Sequence, residues 1–413
     1  MDATARAVQV LRNLRSAHHC MVAGILIVAI GGTGGDLPPL LAASLALRER
    51  GHDTTFVGDA SVARTLAPFH VAVEVLPTDV DLGPRVAGVV QDAMQATGGD
   101  LAKAGPLLQR GMTVWAHDVA EPISLAIERH RPTAIVTSLF GVEAVDATCP
   151  PFPWAVINST FYIGPNPPRP IEEDISPRAL PLIKRYAELL ESADLVLHAT
   201  DQVFDYSFDR LPSRHHYVRP LGIWEPPRER PAYLDEPGDP WVLVSISSLR
   251  QDDIALADAA LRALADQPVR VLVTLGPEHD PSELSGHAPN ARVEKTVSHS
   301  AVLERAVLLV SHAGHGTVMK ALWQGKPMVL IPWGRDQPGV AARAQALGVA
   351  EVVPRAEATA ATIGAAVKRS IVDKQMGQNA AKHSARLRAT TPPADAATRI
   401  ESLVERQTAR SFQ

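Results

Sequence analysis

"LLVSHAGHGTVMKALWQGKPMVLIPWGRDQP" runs from Leu308 to Pro338. It leaves an apolar run, passes a turn holding His312, Gly314, His315, Gly316 and Thr317, and enters a helix-like pattern that closes at Gly325. "AVLLVS", Ala306–Ser311, has no polar alternation and reads as a strand covered on both faces. The helix predicted after it starts inside "HAGHGT", where amide N–H groups have no intrahelical acceptor. Glycine lets a ligand approach that backbone, and the helix dipole favours negative charge there. Thr317 adds a hydroxyl and His312 an imidazole N–H, a set suited to a diphosphate. Taken alone, the pattern reads better as a tight strand-to-helix turn capped by threonine. It is not alone. After the next strand, "MVLIP", comes "PWGRDQP", which puts Asp336 and Gln337 on a second strand-to-helix loop. A carboxylate and an amide there can hold several hydroxyls of a sugar, whereas Asp336 singly reads as readily as a helix N-cap before Pro338.

Working outward, the same alternation of strand and helix fills both halves of the chain. "GILIVAI", "DTTFVGD", "VAVEVLP", "TAIVTSLF", "WAVIN" and "DLVLHAT" are strands of the first half. "WVLVSI", "VRVLVTLG", "AVLLVS", "MVLIP" and "AEVVP" are strands of the second. Such an order predicts an α/β protein with doubly wound parallel sheets. "WEPPRERPAYLDEPGDP", Trp224–Pro240, carries five prolines and marks a linker. The expected division is a domain over 23–224, a linker over 225–240, a second domain over 241–385, and helices over 386–413 that close the second domain and cross back to the first. At 413 residues two domains of roughly 200 residues are expected on size alone.

Composition narrows the function. With 40 Lys plus Arg against 45 Asp plus Glu, the net charge is −5. No electrostatic grip on nucleic acid or an anionic membrane is expected. The only two cysteines, Cys20 and Cys149, allow no disulfide framework or multi-thiolate metal site, in keeping with a cytoplasmic protein. No run of about 18 apolar residues predicts a membrane span. Residues 1–22, whose "MVAGILIVAIGG" border imitates a signal peptide without a cleavage site, read as a disordered extension, with Met21 an alternative start.

The Leu308–Pro338 signature resembles the donor-binding region of the family-one glycosyltransferases. These are nucleotide-sugar-dependent enzymes built from two facing Rossmann-like domains, the GT-B fold. The resemblance extends from about Ile25 to the C-terminal helices and is strongest over Asn290–Val353. It implies that His312, Gly314 and Thr317, with His315 and Gly316 beside them, hold the diphosphate, and that Asp336 and Gln337 hold sugar hydroxyls. The family's S-x-G-S loop is similar to "SISS", which implies a phosphate contact for Ser248, although Ser247 replaces the loop glycine. The segment facing the nucleobase falls on Thr296, Val297, Ser298 and His299. Here the stacking tryptophan of many relatives is missing, so UDP and dTDP both stay open as carrier.

In the first half, "GGTGGDLPP" follows the first strand. A dinucleotide fingerprint fails there, because Leu37 stands where the third glycine belongs. Asp59, at the end of the second strand, is what keeps a dehydrogenase in play. The resembling transferases carry a His or Asp followed three residues later by Pro, and this implies Asp36 as the base that activates the acceptor hydroxyl. A carboxylate of ordinary pKa is a weak base for an alcohol, so a raised pKa or concerted transfer is expected. The competing reading of Asp36 is an N-cap. Phe161, Tyr162 and Trp333 are the candidate acceptor contacts, the first two reading equally as core aromatics.

Three decoys remain: "DVD" at Asp79–Asp81, which reads as a solvated loop, and the His18–His19 and His215–His216 pairs, which read as surface residues. The expectation is thus an inverting hexosyltransferase with no metal and no bound cofactor, a monomer or homodimer whose partners are a nucleotide sugar and a lipophilic small-molecule acceptor. The alternatives are a lipid or sterol glycosyltransferase and a catalytically silent nucleotide-sugar-binding helper.

Overall fold

The computed structural model describes residues 22–31, 34–162, 175, 177, 179–206, 211–223, 225, 230–248, 251, 253–285 and 288–411, except the side chains of 79, 82–84, 101 and 407–411. The extension over 1–21, the His18–His19 pair, the alternative start at Met21, part of the linker and part of the expected acceptor loop lie outside these residues.

Seven strands form the first sheet: β1 (Gly24–Ala29), β2 (Asp53–Gly58), β3 (Ala72–Val75), β4 (Ala134–Ser138), β5 (Trp154–Asn158), β6 (Leu195–His198) and β7 (His215–Tyr217). Six form the second: β8 (Trp241–Ser245), β9 (Arg270–Thr274), β10 (Ala291–Glu294), β11 (Ala306–Ser311), β12 (Met328–Leu330) and β13 (Ala350–Val352). The helices between and after the first-sheet strands are α1 (Leu37–Glu49), α2 (Ala60–Leu66), α3 (Leu82–Ala96), α4 (Leu101–His130), α5 (Val142–Ala147) and α6 (Leu180–Leu190). Those of the second half are α7 (Ile254–Leu264), α8 (His299–Arg305), α9 (His315–Trp323), α10 (Gln337–Ala346), α11 (Ala360–Val372), α12 (Lys374–Arg388) and α13 (Pro392–Ser411).

All strand pairings are parallel, in the orders β3-β2-β1-β4-β5-β6-β7 and β10-β9-β8-β11-β12-β13. The cause lies in the side chains. Strands β4, β5, β6 and β8 are buried along their whole length, as a sheet with helices on both faces requires. Each Val, Ile or Leu fully buried this way contributes about 1.5–3 kcal/mol. Chain direction across each sheet reverses once, between β1 and β4 in the first and between β8 and β11 in the second. Such a reversal leaves a crevice beyond the strand C-termini, where ligands bind in open α/β sheets.

Two edge strands carry no apolar run, and sequence reading passes over both. β7 is "HHY" and β10 is "ARVE". The pair His215–His216 is accordingly not a surface pair. His215 is 3% exposed, with Nδ1 3.0 Å from His198 Nε2. Nor is Asp81 solvated, since its Oδ1 is buried with no hydrogen-bond partner among the described residues.

The packing seam also departs from a division at residue 224. Phe161, Phe204 and Tyr206 share one hydrophobic core with Leu309, Val318 and Val340 of the second half. Arg343 of α10 donates to the carbonyls of Phe204 (3.0 Å), Val203 (3.1 Å) and Asp205 (3.3 Å), and Arg386 of α12 pairs with the fully buried Asp201. In the opposite sense, Ala396, Ala397 and Ile400 of α13 lie in the core of the first sheet. There Arg50 holds Glu401 at 2.6 Å and the Ala394 carbonyl at 2.9 Å.

Candidate active site

Asp36 occupies the cap position before α1, yet its side chain makes no capping bond. It turns into the crevice instead. Oδ1 accepts the hydroxyl of Ser159, just beyond β5, and Oδ2 accepts the Phe140 amide, just beyond β4, at 3.3 Å. The residue is 7% exposed. Burial is the largest influence and raises its pKa. Ser159 and Phe140 oppose that rise, and the charge of Asp336 reinforces it, so the carboxyl moves from the usual 3.8 to about 6. A carboxyl so placed is ionised at neutral pH and basic enough to share a proton with a bound alcohol. The loop that carries it is fixed by Asp59. That side chain accepts Gly31 N–H at 2.7 Å on Oδ2 and caps α2 through Ser61 N (2.9 Å) and Val62 N (3.1 Å) on Oδ1. Its oxygens are spent on backbone, which removes the residue a dinucleotide site would need.

The second crevice holds the groups expected on the donor side. Gly314 caps α9, and the first amide with an intrahelical bond there is Val318 N, to Gly314 O at 3.0 Å. The N–H groups of His315, Gly316 and Thr317 point outward, together carrying a fraction of a positive charge. Nothing lies within 4 Å of the place a Gly316 Cβ would occupy, so a ligand can approach that backbone. At Gly314 a Cβ would sit 2.5 Å from His312 Nε2. Glycine is therefore required there by the imidazole itself. His312 follows β11, is 6% exposed, and points Nδ1 at the Ser245 carbonyl, 3.2 Å away. Burial lowers its pKa, while Asp253 and that carbonyl act in the opposite direction. Ala313 reaches the turn in the left-handed region, φ 68°, a strained conformation of the kind that collects at functional sites. Ser248 follows β8 at the mouth of the same crevice, half-buried.

Across the cleft, Asp336 accepts the Thr160 hydroxyl at 2.7 Å. Ser159 binds Asp36 and Thr160 binds Asp336, so two consecutive residues tie the carboxylates of the two halves together. Sequence reading missed both serine and threonine. Their partners lie 123 and 176 positions away, and no local pattern reports such a contact. It missed Arg335 as well, which stands in the left-handed region (φ 56°) with Nη1 3.4 Å from Ser247 Oγ.

Several expected contacts serve other ends. Gln337 is 2% exposed. Its Oε1 accepts the amides of Trp333 and Gly334, both at 2.9 Å, and its Nε2 donates to Gln251 at 3.0 Å. It ties together the loop over 333–337. His315 places Nε2 2.8 Å from Thr200 Oγ1 of the first half, and burial depresses its pKa to about 4. It joins the halves and leaves only its backbone amide for a ligand. Ser298 caps α8 and donates to Glu225 at 2.5 Å. His299 lies 3.0 Å from Thr274 Oγ1, its pKa lowered to about 4 by burial. Thr296 is exposed and Val297 half-buried. Phe161 and Tyr162 are 3% exposed and buried among the described residues. Phe161 meets Tyr206 edge to face at 5.0 Å, and Tyr162 donates its hydroxyl to Glu191 at 2.7 Å. Trp333 packs on the second-half core beneath the Arg355 guanidinium, 4.3 Å from its ring.

Two Rossmann-like domains, each opening a switch-point crevice toward the other, make this a GT-B protein. Residues 252–400 match the model described as the glycosyltransferase family 28 C-terminal domain. Demethyllactenocin mycarosyltransferase of Streptomyces fradiae is 28% identical over 208 residues, 49% of this chain and 43% of that protein. The chain spans about half the length of the curated relatives it matches. The glycotransferase of kitacinnamycin shares the fold with a TM-score of 0.71 at 21% identity, over 93% of this chain and 98% of its own. Glycosyltransferase VinC in complex with dTDP superposes with a TM-score of 0.68 at 16% identity, over 92% and 100%.

Proposed function

We propose that the protein is an inverting glycosyltransferase that moves a hexose from a nucleoside diphosphate to a hydroxyl of a lipophilic small molecule. The observation that carries this reading is Asp36, a buried carboxyl raised to about 6 and set against the cleft opposite Asp336. The acceptor hydroxyl gives its proton to Asp36 as its oxygen attacks the anomeric carbon, and the bond from that carbon to the diphosphate oxygen breaks. Negative charge grows on the leaving diphosphate, where the amides of His315, Gly316 and Thr317 and the Thr317 hydroxyl stabilise it without reorganising. This set stands where another transferase would use a metal ion.

His312 has a defined part in that step. Nδ1 faces a carbonyl acceptor and so carries hydrogen, which leaves Nε2, beside Gly314, able to donate only in the imidazolium form. Burial disfavours that form in the free protein, and an arriving diphosphate restores it. Asp336, with the Thr160 hydroxyl, takes the sugar hydroxyls. VinC is held with dTDP, which favours dTDP as the carrier.

The test is a thermal-shift comparison of dTDP, UDP and GDP, followed by mass spectrometry of reactions with the corresponding sugars and a panel of hydroxylated aglycones. Stabilisation by dTDP and a mass gain of one sugar, both retained in the wild type and the second lost in Asp36→Asn, are expected. No response to any nucleotide, or full turnover by Asp36→Asn, would overturn the reading.

A further inference from the structure

Behind the two residues that bridge the carboxylates runs a chain of buried polar side chains that the reaction as written leaves idle. Asn158, the last residue of β5, turns its Oδ1 onto the amide of Thr160, two residues on, at 3.3 Å. This is an Asx turn, in which a side chain stands in for a backbone bend. From that turn Ser159 reaches Asp36 on one side and Thr160 reaches Asp336 on the other. Asn158 is fully buried, so its remaining group, Nδ2, needs an acceptor. His198, in register with it at the end of β6, supplies one, with Nδ1 3.1 Å away. His198 Nε2 in turn lies 3.0 Å from Nδ1 of His215 on β7. His215 Nε2 ends the chain 3.4 Å from Glu191 Oε1, an ion-pair distance without hydrogen-bond geometry.

The hydrogens of this chain have only one consistent placement. An amide N–H can only donate, so the Asn158 atom facing Thr160 is Oδ1 and the atom facing His198 is the donor Nδ2. His198 Nδ1 therefore accepts, and its hydrogen sits on Nε2. His215 Nδ1 accepts that hydrogen, which leaves its own on Nε2, beside Glu191. The donors all point outward from Asn158, and both imidazoles have to be neutral. Burial keeps them so. It lowers His198 well below the ordinary imidazole value, and His215 to about 4 against the pull of Glu191. His216 acts in the same direction on both, and Arg214 on His215. Tyr162 packs on the pair, its ring 5.0 Å from His198 and 4.8 Å from His215.

We infer that His198 and His215 are positioning residues for the transfer: they lock the Asn158 amide in the one orientation that turns the chain after β5, and so set the bridge that spaces Asp36 from Asp336. Asp36 takes the acceptor's proton and Asp336 holds the sugar. The bridge thus decides where the attacking oxygen stands against the anomeric carbon, and an error of about 1 Å there can cost on the order of 10²-fold in rate. The groups that grip the diphosphate sit on α9 and just beyond β11, in the other half, and do not hang on this turn. Loss of the chain is therefore felt in kcat and not in nucleotide affinity.

This inference rests on Asp36 being the base and Asp336 holding the sugar, and the experiment separates the two. Nitrogen-15 spectra of histidine-labelled wild type, assigned with His198→Asn, read the tautomers, and hydrogen on Nε2 of both rings is expected at neutral pH. Turnover, donor KM, dTDP affinity and Tm are then compared for wild type, Asp36→Asn, Asn158→Ala, His198→Leu, His198→Asn and the double variant Asn158→Ala/His198→Leu, below the lowest Tm. Asn158→Ala and His198→Leu should each lower kcat about 30-fold with dTDP affinity within about 2-fold. The double variant should lose no more than either single one, because both break the same link. In His198→Asn the side-chain oxygen can stand where Nδ1 stood, and kcat should recover to within about 3-fold of wild type. An active Asp36→Asn removes the base, and the positioning role with it. With Asp36→Asn inactive, hydrogen on Nδ1 of His198, undiminished turnover in His198→Leu, losses that multiply in the double variant, or no recovery with asparagine overturns the positioning role alone. Should His198→Leu not fold, Asn158→Ala and His198→Asn carry the same comparison.

Discussion

Replacing Asp36 by asparagine should make the protein more stable as it makes it inactive. The carboxyl moves from 3.8 to about 6 on folding, and at roughly 1.4 kcal/mol per tenfold this corresponds to about 3 kcal/mol of strain held by the ionised group. The sign follows from proton counting. Below pH 3.8 the carboxyl is protonated folded or unfolded and costs nothing. Between 3.8 and about 6 only the unfolded chain has lost the proton, so folding stability falls as pH rises. Above about 6 the full cost applies. Asparagine does not titrate and fills nearly the same volume. Its advantage over wild type should therefore grow by about 3 kcal/mol from pH 4 to pH 7 and then level off, a rise of several degrees in Tm for a domain of this size. Thermal and urea unfolding of the two proteins at half-unit pH steps read this directly, and any constant offset from hydrogen bonds to the amide drops out of the slope. A difference that stays flat over that range would mean that the carboxyl is not strained, and the case for a tuned base would go with it.

Two further outcomes follow from contacts at the cleft and the seam. Gly314→Ala puts a carbon 2.5 Å from His312 Nε2 and should displace the imidazole. A loss of about 10-fold in kcat/KM, of the order of one hydrogen bond, is expected at unchanged Tm, and unaltered kinetics would exclude His312 from the diphosphate. Arg386→Met leaves the buried carboxylate of Asp201 with Arg219, 3.9 Å away, as its remaining ion-pair partner among the described residues. About 3 kcal/mol of stability should be lost, the lower end of the range for a broken buried pair because a third of the Arg386 side chain remains in water. Adding Asp201→Asn should recover most of it, and a single variant that melts with the wild type would show that the pair carries no weight.

The parts of the molecule legible in sequence are those whose causes are local. A run such as "GILIVA" states by its composition that both faces of β1 are covered, and "HAGHGT" states that glycine opens a helix end. Asp36 stood out as a candidate for the same reason, seven positions after β1 and directly before a proline-led helix. What escaped depended on distant partners. Nothing near Ser159 or Thr160 reveals that they meet Asp36 and Asp336. The engaged side chains follow the same logic: Gln337 finds the two amides of its own loop, and His315 finds Thr200 from the other half. In both, a polar side chain close to the site is claimed by the backbone or domain beside it. Phe161 and Tyr162 follow a strand end as expected, but Phe161 lies in the core the halves share and Tyr162 in a core of the first half.

The clasp around Thr200–Asp205 changes where this protein can be cut. Recombining the two halves of such a GT-B protein invites a join in the proline-rich stretch, yet a chimera made there would part Arg343 and Arg386 from the carbonyls and carboxylate they hold, and would part α13 from the sheet it covers. A viable graft has to transplant the 200–206 loop along with the second half and leave the terminal helix behind with the first, so that each portion keeps the borrowed piece that completes it.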